Sequence, residues 1–574
     1  WGDANVAVGY RALKVNTASD NTAVGSEALV ANTTGSGNVA VGKNAAKAIT
    51  TGWGNIAVGY IALQSETTGI KNTAIGYDCL RTQNGANYNT AVGFEAGEAN
   101  TTGNSNVFIG HRAAYLNTTG SLNVAVGYNA ADANTGGGNL TVVGANALSS
   151  NTTGSYNTAI GQAALSNNTT GQYNTALGDQ ALEANTGSSW NTAIGFEALT
   201  ANTTTGGNTA VGYQSLYALT DGGPNTAVGQ ASLQACTSSW GNTAVGYYAA
   251  SDVTTGGFNT AVGNEALEAN TTGGYNTAIG MRALEANTTA SYNVALGYDA
   301  LKVNTTGTRN TAIGSAALDS NTTANNNTAV GYDALQANTT GSANTAVGTY
   351  ALDANTTASG NTAIGYQALT TTTIGDYNTA VGYLSMDAIT TGYHNTALGY
   401  DSLGAATAAD YNVAIGKGAL AAATTSDFNT AVGAEALEAN TTGTNNVAIG
   451  FRSLEANTTA SYNTAVGYLA LTANTVGNQT ACGRLALKSN TTGYENTAVG
   501  ALALEDNTTG GYNVSVGVNA LSTNTTGSKN TAIGHQALYL NTAEHNTALG
   551  HNALGANTTG TYNTAVGAEC ADAI

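Results

Sequence analysis

The chain has 574 residues, of which 74 are Gly, one is Pro and 9% are charged, and its formal net charge is −19. Gly-rich polar chains are often disordered, but here 42% of the residues are hydrophobic and recur at fixed positions, which favours a folded chain. The acidic balance disfavours nucleic acid and anionic membrane surfaces as partners. No apolar run approaches the roughly 20 residues that cross a bilayer.

A 17-residue repeat runs through the chain from its start. Its most regular member is the glycine that closes an N-T-A-V-G pentad, first at Gly9 and last at Gly567. The spacing falls to 16 in three places, after Gly9, Gly467 and Gly534. We count 34 units without a linker, which predicts that residues 1–574 form a single continuous repeat array. Because both ends fall inside a unit, we expect a fragment of a longer fibre, with its caps and anchor outside the segment.

The first half of each unit has the pattern of a strand. Numbered from its first Asn, the unit reads N-T-A-V-G-Y-x-A-L-x-A-N-T-T-G-x-Y. Position 4 is Val, Ile or Leu except at Cys482, and the Thr of position 2 exchanges with Val or Ile, as at Val39 and Ile56. This alternation with the Ala of position 3 predicts a strand whose positions 2 and 4 point inward. The Leu of position 9 is expected to be the second inward side chain.

The rest of the unit has the composition of turns. The Gly of position 5 suits a positive φ, and the N-T-T-G run suits a tight turn, while Asn, Thr and Gly disfavour a helix. Two short strands and two turns in each 17-residue unit predict one coil of a solenoid. The predicted fold is all-β, a parallel β-solenoid (β-roll) of about 34 coils, in which Asn at positions 1 and 12 forms ladders of amide hydrogen bonds.

Aromatic residues recur at the edges of the strand. Tyr is frequent at position 6, as in Tyr60 and Tyr77, and at position 17, as in Tyr156 and Tyr173. Lines of aromatic surface on a thin coil favour association of several chains, although shielding of the turns explains them equally well. We favour the bundle.

The pentad resembles the N-S-V-A-I-G motif of YadA-like heads in trimeric autotransporter adhesins. Thr464, Ala465, Val466 and Gly467 match the V-A-I-G part, and the same match recurs along the whole chain. The full unit is still more similar to repeats in the shafts of bacteriophage tail fibres. The resemblance implies a left-handed β-roll bundled as a homotrimer. It differs in coil length, because the autotransporter coils are shorter.

Residues with catalytic or metal-binding chemistry follow the repeat and do not gather into a site. His111, His535 and His551 replace Tyr at position 6, and His394 and His545 replace Tyr at position 17. We interpret them as aromatic replacements; the alternative is a metal site formed by His535, His551 and His545. Cys79, Cys236, Cys482 and Cys570 are too far apart along the array to pair and are interpreted as packing substitutions.

Acidic residues at positions 7 and 10 form short ladders, such as Glu265, Glu268 and Glu285, and predict a solvated charged face. The segment is therefore predicted not to be an enzyme, with no catalytic, cofactor-binding or metal-binding residues and no cofactor.

The N-T-T turns create N-glycosylation sequons. They include Asn32, Asn100, Asn117, Asn151, Asn270, Asn287, Asn440 and Asn557. Turn chemistry explains them without a glycan, and glycosylation in a secretory route is the alternative.

The expected function is a structural extracellular shaft or stalk, on a cell surface or a virion, that projects or assembles an appendage and self-associates. The alternative is an adhesin or tail fibre that binds host surface glycans through its ladders. The nearest candidate for an irregular binding region is Leu216–Pro224. A third hypothesis is an ice-binding solenoid, which needs threonine pairs that point outward from a strand.

Overall fold

The computed structural model describes residues 2–572, so Trp1, Ala573 and Ile574, which end the predicted array, lie outside the described residues. The chain divides into two compact units, Trp1–Ser291 and Tyr292–Ile574. Each unit is a parallel β-solenoid, and residues 2–572 contain strands and turns but no helix. Among them no helix is long and apolar enough to cross a membrane.

The first unit has 17 strands of equal length. They are β1 (Val6–Val8), β2 (Thr22–Val24), β3 (Val39–Val41), β4 (Ile56–Val58), β5 (Thr73–Ile75), β6 (Thr90–Val92), β7 (Val107–Ile109), β8 (Val124–Val126), β9 (Thr141–Val143), β10 (Thr158–Ile160), β11 (Thr175–Leu177), β12 (Thr192–Ile194), β13 (Thr209–Val211), β14 (Thr226–Val228), β15 (Thr243–Val245), β16 (Thr260–Val262) and β17 (Thr277–Ile279).

The second unit has 17 strands of the same length. They are β18 (Val294–Leu296), β19 (Thr311–Ile313), β20 (Thr328–Val330), β21 (Thr345–Val347), β22 (Thr362–Ile364), β23 (Thr379–Val381), β24 (Thr396–Leu398), β25 (Val413–Ile415), β26 (Thr430–Val432), β27 (Val447–Ile449), β28 (Thr464–Val466), β29 (Thr480–Cys482), β30 (Thr497–Val499), β31 (Val514–Val516), β32 (Thr531–Ile533), β33 (Thr547–Leu549) and β34 (Thr564–Val566).

Within each unit every strand pairs in parallel with the next strand along the chain, position for position. Thr158, for example, pairs with Thr175, and Ala159 pairs with Ala176. The predicted parallel solenoid with one coil per repeat is therefore confirmed. In-register stacking places identical residues above one another, which is the geometry that forms ladders.

The strand faces the opposite way from the prediction. The Ala of position 3 is buried, as in Ala23 and Ala159, whereas positions 2 and 4 are half-buried or exposed. The exchange of Thr with Val indicated a β-branched position on a pleated surface, and such a position suits an outer face as well as an inner one. The nearly uniform Ala of position 3 was the better signal, because a position that accepts few side chains larger than a methyl group is typical of a confined interior.

One exchange of large and small residues shows which positions meet inside the coil. Phe108 replaces Ala at position 3 and is fully buried. The preceding coil has Gly97 instead of Leu at position 9, and a Cβ built on Gly97 would lie 2.5 Å from the Phe108 ring. Positions 3 and 9 therefore share one interior, whose packing depends on their combined volume.

The second predicted strand does not form. Positions 6 to 11 are turn, and positions 7 and 9 take positive φ even where they are not Gly, as in Glu27 (φ 60°) and Leu29 (φ 49°). The Leu of position 9 is nevertheless buried, as predicted. Left-handed backbone at these side chains costs about 1–2 kcal/mol per residue. Bonds between coils offset it: the Leu29 N–H donates to the Ala45 carbonyl at 3.1 Å.

Glycine at position 5 is required twice over. At Gly161 φ is 136°, and an added Cβ would lie 2.3 Å from the carbonyl oxygen of Gly178 in the next coil. A side chain at this position is excluded both by the backbone conformation and by the close approach of the coils. The prediction of a positive φ here is confirmed.

The amide ladders form as predicted. At position 12 the Asn117 Nδ2 donates to the Asn100 Oδ1 of the preceding coil at 2.8 Å and to the Gly120 carbonyl of its own turn at 3.1 Å. At position 1 the backbone N–H of Asn123 donates to the Asn106 Oδ1 at 2.9 Å. These side chains are buried and close the polar interior of each coil.

The 16-residue coils lose their residue in the turn after position 12. In such a coil the Asn16 Nδ2 donates to the Ala18 carbonyl, two positions further along the chain, at 2.8 Å. In a regular coil the Asn32 Nδ2 donates to the Gly35 carbonyl, three positions further along, at 2.9 Å. The ladder is kept and only the turn shortens.

Candidate interaction surface

The outer side chains of the strands form a uniform surface in each unit. We call positions 2 and 4 of the described coils of a unit its strand face. Position 2 is Thr, Val or Ile throughout, and position 4 is Val, Ile or Leu except at Cys482. Among the described strands this face has no charged residue. Its apolar side chains are well exposed, for example Ile75 at 39% and Leu177 at 42%.

The two threonine ladders of the repeat differ in what their hydroxyls do. At position 13 the Thr118 Oγ1 donates to the Thr135 carbonyl of the next coil at 2.8 Å, and most other threonines of this position do the same. At position 2, no threonine hydroxyl of the described coils makes a hydrogen bond within the chain. The hydroxyls of the strand face are therefore free for water or a partner.

Aromatic side chains form ladders at position 6, which follows the strand in the repeat, and at position 17, which precedes the next strand. At position 6 the rings of Tyr60, Tyr77, Phe94, His111 and Tyr128 stack with centroids 5.2 Å apart at each step. Parallel stacking hides the ring faces between neighbours and leaves the ring edges exposed. A sugar that binds through its apolar side needs an open ring face, so the interior of a ladder is a poor platform for it.

A second ladder runs along position 17. Tyr377, His394, Tyr411 and Phe428 stack with centroids 5.1, 5.0 and 5.2 Å apart. His394 lies between two tyrosine rings, as His111 lies between Phe94 and Tyr128. The interpretation of these histidines as aromatic replacements is confirmed.

The alternative metal site of three histidines does not form. His535 and His551 stack with centroids 5.3 Å apart, but His545 stacks on Tyr562 in the other ladder. In residues 2–572 no histidine or cysteine belongs to a group of three possible ligands. Two groups of glutamates do converge, namely Glu265, Glu268 and Glu285, and Glu435, Glu438 and Glu455.

The second glutamate group is part of an ion-pair network. The Arg452 Nε lies 2.9 Å from the Glu435 Oε2, and its Nη2 lies 2.9 Å from the Glu455 Oε1. The Lys417 Nζ lies 3.9 Å from the Glu435 Oε1. Basic side chains thus supply part of the charge balance that a cation would otherwise provide.

The acidic ladders are less solvated than predicted. Carboxylates at positions 7 and 10 lie along the coil surface and are half-buried, and burial raises the pKa of several of them. The pKa is raised mainly by burial in Asp78, Asp132, Glu268, Asp353, Asp387, Asp401 and Glu438. At Glu27 a hydrogen bond from Lys47, with Nζ 2.7 Å from Oε2, lowers the pKa.

Three of the four cysteines behave as packing substitutions. Cys79 and Cys236 are fully buried and Cys570 is partly buried, and burial raises the pKa of the Cys79 thiol to about 12. Cys482 is different: it occupies position 4, on the strand face, and is exposed. All four are free, as their separation predicted.

The sequons do not suit glycosylation in the folded chain. All eight of the asparagines named above lie at position 12 and are fully buried. At Asn32 both amide hydrogens are used, because Nδ2 donates to the Asn16 Oδ1 at 2.7 Å and to the Gly35 carbonyl at 2.9 Å. A glycan on this nitrogen would break the ladder, so the glycan alternative is wrong for the folded coil.

The predicted irregular region is a local change of turn. At Asp221–Pro224 two glycines in sequence, Gly222 and Gly223, take positive φ, whereas the coil continues into β14 in register. The structure brings no cluster of reactive side chains to it.

Comparison with known proteins adds no assignment. No protein-family model matches the chain, and no curated protein matches it.

Proposed function

We propose that this segment is the self-associating shaft of an extracellular fibre on a cell surface or a virion. The observation that carries the proposal is the strand face, which has no charged residue in any described strand and is β-branched at most of its positions. A monomeric soluble protein rarely exposes a long apolar surface, and such surfaces mark interaction sites.

The strand face is suited to a second copy of the same chain. Every coil presents the same pair of side chains at the same spacing, so the units of two or more copies match without a special register. A stable interface buries about 800 Å² on each partner. The 17 strands of one unit supply this area through many small, identical contacts. The homotrimer and the left-handed coil that the resemblance implies belong to this proposal.

Stiffness comes from the bonds between coils. Each coil donates hydrogen bonds to its neighbours and accepts hydrogen bonds from them at three places. These are the strand, the turn of positions 6 to 11, which we call the leucine turn, and the N-T-T turn. Examples are the bonds from Thr158 to Asn174, from Leu165 to Ala181 and from Thr169 to Thr186. A spacer needs this resistance to bending, because its task is to hold other domains apart. A catalytic role has no support in the described residues.

Light scattering tests the association. We expect a particle mass that is a multiple of the 57.1 kDa chain mass, and three copies on the resemblance. Lysines at position 4 of three successive coils (Val228→Lys, Val245→Lys and Val262→Lys) should dissociate that stretch or the whole particle. Lysines at exposed position 14 of the same coils (Ser238→Lys, Thr255→Lys and Thr272→Lys) are the matched control and should leave the mass unchanged. A wild-type chain that is monomeric at all concentrations would contradict the proposal.

One observation favours a second candidate, ice binding. The threonines of the strand were expected to point inward, but they point outward, and their hydroxyls make no bond within the chain. The face then offers rows of Thr and Val at the regular coil spacing. Thermal hysteresis of the purified protein tests this candidate, and its absence would remove it. The two candidates compete for one surface, because a bundle that buries the strand face leaves none for ice.

A further inference from the structure

Pairs of tyrosines separated by one repeat plus one position form a recurring contact between successive coils. The pairs are Tyr332–Tyr350, Tyr393–Tyr411 and Tyr494–Tyr512, and the two members of each pair are 18 residues apart. Their rings meet edge to face, at interplanar angles of 90°, 78° and 79°. Tyrosines separated by a single repeat, such as Tyr156 and Tyr173, instead stack in parallel at 6°.

The backbone of the solenoid fixes the 18-residue pairs. In each pair the N–H of the second tyrosine donates to the carbonyl of the first. The N···O distances are 3.0 Å for Tyr350 to Tyr332, 3.1 Å for Tyr411 to Tyr393 and 2.9 Å for Tyr512 to Tyr494. These are the regular bonds between positions 7 and 6, or 17 and 16, of successive coils. The side chains of a pair therefore start from backbone atoms that are already in contact.

Tyr494 and Tyr512 are the closest of the three pairs, with ring centroids 4.8 Å apart. The next coil has glycine at position 16, and a Cβ built on Gly511 would lie 3.4 Å from the Tyr494 ring, so the ring lies over the space that glycine leaves. The neighbouring Tyr494 hydroxyl raises the pKa of Tyr512. The edge-to-face arrangement brings an edge of one ring against the other ring. Both rings are about half exposed, at 48% and 45%.

We propose that the three 18-residue tyrosine pairs are sites of oxidative coupling to dityrosine, which joins successive coils covalently. The oxidant is hydrogen peroxide, used by a haem peroxidase. Each phenol gives one electron and its hydroxyl proton to the oxidant. The two radicals form a carbon–carbon bond between ortho positions, and the ring hydrogens at those carbons move to the oxygens and restore both phenols. The peroxide takes up the two electrons and two protons and becomes two molecules of water.

A link of this kind reinforces the segment without a disulfide. It closes an 18-residue loop between neighbouring coils, and closing such a loop restricts the unfolded chain. The four cysteines are free, so the described residues contain no disulfide between coils. The inference concerns bonds within one chain and does not depend on the proposed self-association.

Peptide mapping by mass spectrometry tests the sites. The full chain is treated with a haem peroxidase and limiting hydrogen peroxide and then digested. Linked peptides should join Tyr494 to Tyr512 first and the other two pairs next, each with the loss of two hydrogen atoms. Links that follow exposure alone, at Tyr562 (75%) and Tyr462 (65%), would overturn the proposal. So would stacked pairs such as Tyr156–Tyr173 that react equally fast, or a chain that does not react at all.

Two variants and a label complete the experiment. Tyr512→Phe keeps a ring in place and should abolish the link from Tyr494, while Tyr173→Phe, in a stacked pair, should leave the pattern of links unchanged. Mixing ¹⁵N-labelled and unlabelled chains before oxidation separates the sources, because links within a chain never combine the two labels. Links of mixed label only would show coupling between chains and overturn the inference, whatever the mass of the particle. Oxidised wild-type chain should also unfold more slowly than oxidised Tyr512→Phe.

Discussion

Two groups of coils with the same backbone fill their interiors differently at position 12. In the first unit, the Asn side chains of position 12 are joined by amide-to-amide bonds through six successive coils, from Asn100 to Asn185, and we call these the ladder coils. In the second unit, four successive coils have Thr372, Ile389, Ala406 and Ala423, and we call these the apolar coils. Both groups keep three-residue strands in register, so the amide ladder at position 12 is not what defines the coil.

Position 1 takes over the missing bonds in the apolar coils. There the Asn412 Nδ2 donates to the Asn395 Oδ1 of the preceding coil at 3.1 Å, as well as to the Ser426 carbonyl at 2.7 Å. In the ladder coils the Asn157 Nδ2 donates only to the Gly171 carbonyl, at 2.8 Å. The line of amide-to-amide bonds thus moves from position 12 to position 1 in the apolar coils.

The line is not present in every coil, because beside Leu219 and Val253 the Nδ2 atoms of Asn225 and Asn259 donate only to carbonyl oxygens. We infer that an amide within a line depends on the amides above and below it. Removal of a single member should cost more than the absence of the whole line.

The largest effect is expected from a gap in the ladder coils. Asn151→Ala removes a buried amide whose Nδ2 donates to the Asn134 Oδ1 and the Gly154 carbonyl and whose Oδ1 accepts from Asn168. At about 1–3 kcal/mol for each buried group left without a partner, we expect a local loss of about 3–5 kcal/mol. Native-state hydrogen exchange, read coil by coil, is the measurement, because long repeat arrays do not unfold in a single step.

The control for this variant is Thr153→Ala in the same turn. Thr153 is exposed, and exposed substitutions away from special features usually change stability by less than about 0.5 kcal/mol. Equal exchange rates in the two variants would show that the ladder does not stabilise these coils.

A lone amide in the apolar coils should have the next largest effect. Ile389→Asn places a buried amide between Thr372 and Ala406, neither of which has an amide to pair with it. Lost apolar burial and an unsatisfied polar group together should cost about 3 kcal/mol. Changing all four positions to Asn, which joins the ladder that ends at Asn355 to the one that begins at Asn440, should cost less than the sum of the single changes. Additive losses would contradict a cooperative ladder.

The sequence was sufficient to predict one coil per repeat, but not to predict which side chains point into the coil. The spacing of glycines such as Gly161 predicted one parallel coil per repeat, and the recurrence of Asn predicted the ladders. The coils and the ladders both arise because equivalent residues recur at a fixed spacing, and the sequence shows that spacing directly. The predicted orientation of the strand was wrong, because Thr, Val and Ile suit either face of a strand. The pairing of Phe108 with Gly97 contained the answer, since a large residue at position 3 needs space inside the coil.

Nothing in the sequence predicted the backbone conformation of the leucine turn. Leu29 and its equivalents take a left-handed backbone that local preference disfavours, and only the bonds between coils make it acceptable. Burial of the N-T-T sequons had a signal that was available but not used. Asn32 was predicted to form a ladder, and a side chain whose amide pairs above and below cannot also carry a glycan.

A smaller effect is expected where a ladder restarts after an apolar residue. Glu66, at position 12 after Ile49, is fully buried. Its Oε1 accepts four backbone N–H bonds, including one from Gly69 at 2.6 Å, and its Oε2 accepts from the Gln83 Nε2 at 3.0 Å. Glu66→Gln places a second side-chain N–H donor opposite the Gln83 Nε2. The free energy of local opening, measured by hydrogen exchange, should fall by about 1–2 kcal/mol.

The exchanged pair is the control for Glu66. When Glu66→Gln is combined with Gln83→Glu, the amide again donates to a carboxylate. The introduced carboxylate also still accepts from Asn89 and Asn100, which donate to the Gln83 Oε1 in the wild type. Stability should therefore return most of the way. If stability does not return, the carboxylate is required at position 66 itself. Its partners would then be the backbone N–H groups that donate to Glu66, and the pairing with Gln83 would matter little.

The smallest effect is the response to acid, and it should be stabilising. Burial raises the pKa of Asp387 and Asp401 in the apolar coils, and of Asp132 in the ladder coils, above the values in the unfolded chain. The folded chain therefore binds protons more readily than the unfolded chain near pH 4–5, and the folding free energy improves as the pH falls from 7 into this range. Glu27 acts in the opposite direction, because its lowered pKa loses stability in acid. The measurement is the free energy of local opening at pH 7 and pH 5, from native-state hydrogen exchange corrected for the effect of pH on the intrinsic exchange rates. Asp387→Asn with Asp401→Asn should reduce the gain within the apolar coils. A free energy of opening that falls on acidification would show that ion pairs such as Glu27–Lys47 outweigh the buried carboxylates.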